Sequence, residues 1–149
     1  METKKPHSSW QFCSNHTPIP PSAILAGHDS DGSPIYVGRA NHNSDQLPGK
    51  VLGNKHMAYV GYHGKEIAKQ SFDVLCDGNV SWVSSGFGVV PPNAVLGGRT
   101  SSGEGLYVGR AHYKGSLASG KIHPSHQTLY ITFGGKEISV KNYEVLIEN

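Results

Sequence analysis

The stretch PPSAILAGHDSDGSPIYVGRA, Pro20–Ala40, returns as PPNAVLGGRTSSGEGLYVGRA at Pro91–Ala111. Pro20 falls on Pro91, an offset of 71 residues, and the same offset continues without a gap. Lys50 falls on Lys121, Tyr59 on Tyr130, GKEI at Gly64–Ile67 on GKEI at Gly135–Ile138, and FDVL at Phe72–Leu75 on YEVL at Tyr143–Leu146. Upstream, Ser9-Trp10 is echoed by Ser81-Trp82 once a one-residue shift is allowed. Solenoids normally need at least three copies, so two copies at this period predict two equivalent units sharing a core by pseudo-twofold symmetry. The expected organisation is an N-terminal tail over 1–9, a first repeat over 10–76 and a second over 77–149, the two packed as one domain.

Working outward from the repeat, apolar residues alternate with others through Ile35–Ala40 and its partner Leu106–Ala111. Met57–Tyr62, Phe72–Cys76, Leu129–Phe133, Ile138–Val140 and Tyr143–Ile147 also read as strands, from β-branched and aromatic residues at period two. Turn signals separate them: DSDGSP, NHNSDQLPG, YHGK and FGGK. No stretch keeps the i, i+3, i+4, i+7 pattern of a helix. The fold class expected is all-β, two tandem pseudo-symmetric repeats forming one antiparallel β domain. The glycines of the twin VGRA strings mark a bulge or a close backbone approach.

Composition narrows the function. The chain has 149 residues, 19 of them glycine and 9 proline, which suits short strands and many turns. Thirteen basic residues against 11 acidic leave a net charge of +2, too small and too evenly spread for a polyphosphate groove, so no nucleic-acid partner is expected. No apolar run approaches the roughly 20 residues of a membrane span. The opening METKKPHSSWQF has basic residues but no apolar stretch after them, so it is not read as a secretory signal and a cytoplasmic location is expected. Cys13 and Cys76 are the only cysteines and read as reduced thiols.

Catalysis finds no constellation to stand on. Phosphate loops, HExxH, GxSxG and paired CxxC motifs are all missing from the sequence. His56 with His63, and His123 with His126, are the nearest approaches to metal-ligand pairs, but neither recurs in the other copy, and no metal or cofactor is expected. Glu66 and Glu137 could lie near a pseudo-axis as a hydrolase's two carboxylates would, yet each adjoins a lysine and reads as a paired structural charge. Arg39 and Arg110 occur in both copies and read as guanidinium groups pairing carboxylates and carbonyls within the repeat pair. The expectation is a binding protein and not an enzyme.

The motifs PPSAILAGHD, IYVGRA, PGK and GKEI, with PPNAVLGG, LYVGRA, SGK, GKEI and NYEVL, resemble the DM-nine repeat family from Trp10 to Asn149. Tandem copies of that repeat form mannose-binding lectins, and the repeat also occurs in natterin-like proteins. The resemblance implies a sugar pocket in which Asp29, the acidic residue of the GxD loop, and Lys50, closing PGK, contact the ligand. A carboxylate offers several acceptors and an ammonium three donors, so the pair can hold adjacent sugar hydroxyls. Thr100 stands where a second acidic residue would be, while Lys121 is kept, so Lys121 either joins the first pocket or marks a weaker one.

A lectin of this kind is expected to recognise mannose-type glycans in pathogen or self-glycan recognition. It is also expected to be a homodimer, because single sugar sites are weak and linked sites gain avidity. A cytoplasmic lectin must reach glycans through vesicles or by release without a signal peptide. The competing reading is a vesicle-associated or protein-interaction scaffold without sugar affinity.

Overall fold

The computed structural model describes residues 7–149, most of which lie in strands. In chain order these are β1 (Ser9–Ser14), β2 (Leu25–His28), β3 (Pro34–His42), β4 (Asp45–Leu52), β5 (Met57–Tyr62), β6 (Lys65–Lys69) and β7 (Ser71–Cys76) in the first copy. The second copy gives β8 (Val80–Gly86), β9 (Leu96–Arg99), β10 (Gly105–Tyr113), β11 (Ser116–His123), β12 (Thr128–Phe133), β13 (Lys136–Val140) and β14 (Asn142–Glu148). A 3-10 turn at Pro124–His126 is the only helical element among the described residues. The fold is all-β, built from two pseudo-symmetric repeats in one antiparallel sheet.

One long hairpin organises each copy. β3 runs back along β4, with Val37 opposite Lys50, through a turn in which Asn43 and Ser44 both take positive φ. β10 and β11 repeat the arrangement, with Val108 opposite Lys121 and the turn at Lys114-Gly115. Both central residues of such a turn need φ above zero to match the twist of the strands, which asparagine and glycine tolerate best. The Trp10 echo also finds its register: Trp10 pairs with Leu75 and Trp82 with Leu146.

The copies then cross-pair. β4 meets β9 at Gln46 and Arg99, while β11 meets β2 at Leu117 and His28. Together with the β2–β3, β3–β4, β9–β10 and β10–β11 ladders, these contacts close a ring of strands to which both halves contribute. One core cluster accordingly mixes Ile24, Ile35, Val37 and Leu75 with Val95, Val108, Ala118 and Leu146. Burial of this kind is worth roughly 1.5–3 kcal/mol per large apolar side chain, and neither half owns it alone.

The VGRA glycines are sites of close approach and not bulges. A Cβ at Gly38 would lie 2.4 Å from Val51 Cγ2, and one at Gly109 2.7 Å from Ile122 Cγ1. The register shifts fall instead between Leu25 and Gly27 and between Leu106 and Tyr107. The tail assigned to 1–9 lies mostly outside the described residues, and Ser9 at its end already opens β1. Cys13 and Cys76 are both buried and form no disulfide.

The repeated arginines take the structural role. Arg39 Nε donates to Asp73 Oδ2 at 2.9 Å and Arg110 Nε to Glu144 Oε1 at 2.9 Å. Their guanidinium carbons lie 4.3 Å and 4.2 Å over the rings of Trp10 and Trp82. Each then crosses to the other copy, Arg39 to the Gly97 carbonyl and Arg110 to the Ala26 carbonyl.

Candidate functional site

β6 and β13 lie side by side, Lys65 opposite Lys136, and this seam joins the twin GKEI strings. Glu66 N–H donates to the Gly135 carbonyl and Glu137 N–H to the Gly64 carbonyl, each at 3.0 Å. The side chains reciprocate: Glu66 Oε1 accepts from Gly135 N–H and Glu137 Oε1 from Gly64 N–H, each at 3.1 Å. The partner of each glutamate is not the lysine beside it in sequence. Glu66 Oε2 lies 3.3 Å from Lys50 Nζ, and Glu137 Oε2 lies 3.1 Å from Lys121 Nζ.

Lys50 and Lys121 are thus buried, at 5% and 7% exposure, where a lysine is almost never found without a partner. Lys50 Nζ donates to the Thr132 carbonyl and Lys121 Nζ to the Gly61 carbonyl, both at 2.7 Å, so each ammonium is held by the opposite copy. Each ammonium thus spends one proton on a carbonyl and faces a carboxylate, so donor capacity remains for a ligand. The Lys121–Glu137 contact is close enough for an ion pair, although its angles fall short of a hydrogen bond at Oε2.

Asp29 and Lys50 line one cleft of about 290 Å³, together with Leu52, Lys55, Tyr59, Glu66 and, from the second copy, Phe133. The turn that presents Asp29 is closed by Asp29 N–H to the Ser33 carbonyl at 2.8 Å and Gly32 N–H to the Asp29 carbonyl at 2.9 Å. Asp31 ties it further, accepting from the Ser33 hydroxyl at 2.6 Å, and that bond followed by the Ser33 N–H holds its carboxyl below the usual range. Asp29 Oδ1 takes the Ser30 N–H at 2.9 Å, and a carboxylate so placed retains acceptor sites for a ligand. Two carboxylates and two ammonium groups balance the charge of the cleft, and two aromatic rings flank it.

Lys121 does not line this cleft; it occupies the equivalent position in the other copy. There the surrounding side chains bond to one another. Glu104, four residues after Thr100, accepts from His123 Nε2 at 3.0 Å, Ser125 N–H at 2.8 Å and Ser125 hydroxyl at 2.7 Å. His123 stacks on His126 with ring centres 3.5 Å apart, and His126 Nδ1 is 3.0 Å from the Tyr130 hydroxyl. Leu52, Lys55 and Tyr59 are the first-copy counterparts of His123, His126 and Tyr130.

The titrating groups here feel that crowding. Burial, then the neighbouring His126, holds His123 below its ordinary value of 6.5 despite the Glu104 carboxylate. Burial pulls Glu104 upward, but the two Ser125 hydrogen bonds and His123 outweigh it and keep the carboxyl below 4.5. Burial, then Glu137, pushes the Tyr130 phenol up.

Sequence reading placed Asp29 and Lys50 in one site but missed Glu66 as the partner of Lys50 and Phe133 as a wall. The identical offset of Lys50/Lys121 and Glu66/Glu137 was a signal for the first. Nothing local to Phe133 marks it, because it reaches the cleft from the opposite copy. Among the described residues, no group of His, Cys, Asp and Glu side chains could hold a metal ion.

Fold and site define a tandem-repeat β protein in which each copy completes the polar centre of the other. The sequence model of the DM9 repeat matches residues 29–140, and the chain belongs to the DM9 repeat family. It is 30% identical over 142 residues to Natterin-3 of Thalassophryne nattereri, an alignment covering 94% of this chain but only 36% of that relative. The crystal structure of the nematode sperm cell motility protein MFP2B shares the fold, with a TM-score of 0.68 at 14% identity, over 100% of this chain and 49% of that one.

Proposed function

We propose that this protein is a non-catalytic carbohydrate-binding protein, a lectin for mannose-type glycans, with the cleft of Asp29 and Lys50 as its pocket. The observation that carries the reading is that the Asp29 carboxylate and the buried, oriented Lys50 ammonium line one cleft with the rings of Tyr59 and Phe133. Such a cleft matches a sugar: acceptor and donor for neighbouring hydroxyls, with apolar faces for the C–H side of the ring. Membership in the DM9 repeat family supports it. Binding without turnover is supported by the glutamates, since Glu66 and Glu137 each commit both oxygens to a lysine and to a backbone N–H.

On this reading Lys121 is a structural counterpart of Lys50, and one chain offers one mannose pocket. Avidity for a glycan-coated surface then comes from a homodimer. The working location is the cytoplasm, with vesicles or release without a signal peptide as the meeting place with glycans in pathogen recognition. Calorimetric titration with mannose and mannobiose, and galactose as control, tests the pocket. Saturable heat with mannose near one site per chain is expected. An absence of heat at tens of millimolar sugar overturns the reading and leaves an interaction scaffold without sugar affinity.

A further inference from the structure

A second cleft, of about 600 Å³, shares no lining residue with the first. Its wall is a row of cross-strand partners, Phe12 on β1, Asp73 on β7 and Arg39 on β3. Arg39 is immobilised there by Asp73 at 2.9 Å and by the Trp10 ring beneath it. The related cleft of the second copy, about 580 Å³, keeps the same wall in Arg110 and Glu144.

The two clefts differ where a ligand would sit. Ser84 stands opposite Glu144 as Phe12 stands opposite Asp73, and Val140 replaces Lys69. Phe12 is 69% exposed, so its ring adds little to the core, and serine satisfies the same place in the sister copy. Arg39 is neutralised by Asp73, whereas Lys69 makes no ion pair among the described residues, so the Phe12 cleft keeps one uncompensated positive charge. Asn41 and Gln70 add amide donors and acceptors beside it.

We infer that this cleft is a separate ligand site for an anionic saccharide, the ring resting on Phe12 and its carboxylate or sulfate on Lys69. An exposed aromatic ring takes the C–H face of a sugar, and a charge-assisted hydrogen bond to an ammonium is roughly twice as strong as a neutral one. The second copy, lacking both groups, does not take this ligand.

The experiment is amide NMR on the 15N-labelled full chain titrated with glucuronate, with glucuronate's neutral analogue glucose and with glucose 6-sulfate as parallel arms. Glucuronate or the sulfate should move the amides of Asn41, Gln70 and Ser71, with glucose at least about tenfold weaker. Phe12→Ser and Lys69→Val, each borrowing the residue of the sister copy, should weaken the anionic sugar at least about tenfold. Mannose shifts at Ser30 and Gly134 should be unchanged in both variants, so failure at the first pocket is read separately. The inference is overturned if neither anionic sugar moves the cleft amides, if glucose binds as well, or if the double variant binds like the parent. It is also overturned if Phe12→Ser only lowers the sedimentation coefficient of the unliganded chain, which would make the ring a self-association contact.

Discussion

The two polar centres are built alike and finished differently. Lys50 with Glu66 and Lys121 with Glu137 have the same partners in mirror order, each lysine tied to a carbonyl of the opposite copy. Around them the first copy places Asp29, Leu52 and Lys55 beside an open cleft, and the second places Glu104, His123 and His126 in a closed network. The lesson is a division of labour by depth. Buried charges on the seam are duplicated, whereas the turns above them diverge, and on the proposed reading it is the turns that set ligand recognition.

The comparison breaks most visibly at the glutamates. Removing one member of a buried ion pair typically costs about 3–5 kcal/mol, because the remaining charge is stranded. Glu137→Ala should reach that range in urea unfolding, and Glu66→Ala should cost less, since the side chain of Glu66 is 14% exposed against 7% for Glu137. Replacing Lys121 and Glu137 together by methionine should recover much of the loss. Equal costs for the two alanine variants would mean that the open cleft does not relieve its pair.

Next comes the space the seam leaves. A Cβ at Gly61 would lie 2.3 Å from Glu137 Oε2, while the equivalent position in the second copy is Thr132. Gly61→Ala should destabilise by about 1–3 kcal/mol, the usual cost of overpacking. Thr132→Gly, which removes a buried hydroxyl without a hydrogen-bond partner, should cost less in the same assay.

The turns should separate the copies in binding. Asp29→Ala should weaken mannose at least about tenfold by calorimetry, the scale of a lost charge-assisted contact. Thr100→Ala and Glu104→Ala should leave mannose affinity unchanged. A loss of affinity in Glu104→Ala would move a sugar pocket into the second copy.

The smallest effect is a pH slope. His123 has its folded value depressed, so the stability tied to its neutral form is complete above 6.5 and is lost as pH falls through the folded value. Melting temperature should therefore decline on acidification through that window. His123→Leu, the residue the first copy uses, should flatten the decline. His42 adds a remainder of the same sign, its value lowered by burial and then by Lys69.

Much of the architecture was legible because the repeat is nearly gapless and its strands alternate. Met57–Tyr62 was bounded correctly, and β7 and β14 gained only terminal residues. β4 and β11 were harder to read: DQLPGKVL and SLASGKIH carry proline or glycine at places where the strand needs backbone closeness more than side chains. A Cβ at Gly49 would sit 2.3 Å from the Tyr59 carbonyl oxygen, and one at Gly120 2.0 Å from that of Tyr130. The site was half legible. Asp29 and Lys50 came through resemblance, but the burial of Lys50 follows from a carbonyl supplied by the other half of the chain, which no local pattern encodes.

The ring of strands has a kinetic consequence. Hairpins β3–β4 and β10–β11 join near neighbours and can form in about 1–10 μs. Closing β2 on β11 and β4 on β9 must wait until both halves exist, and such distant pairings place a domain among the millisecond-to-second folders. Until then the first copy leaves the flanks of β2, β4 and β6 unpaired, and it is the arrival of the second copy that covers them.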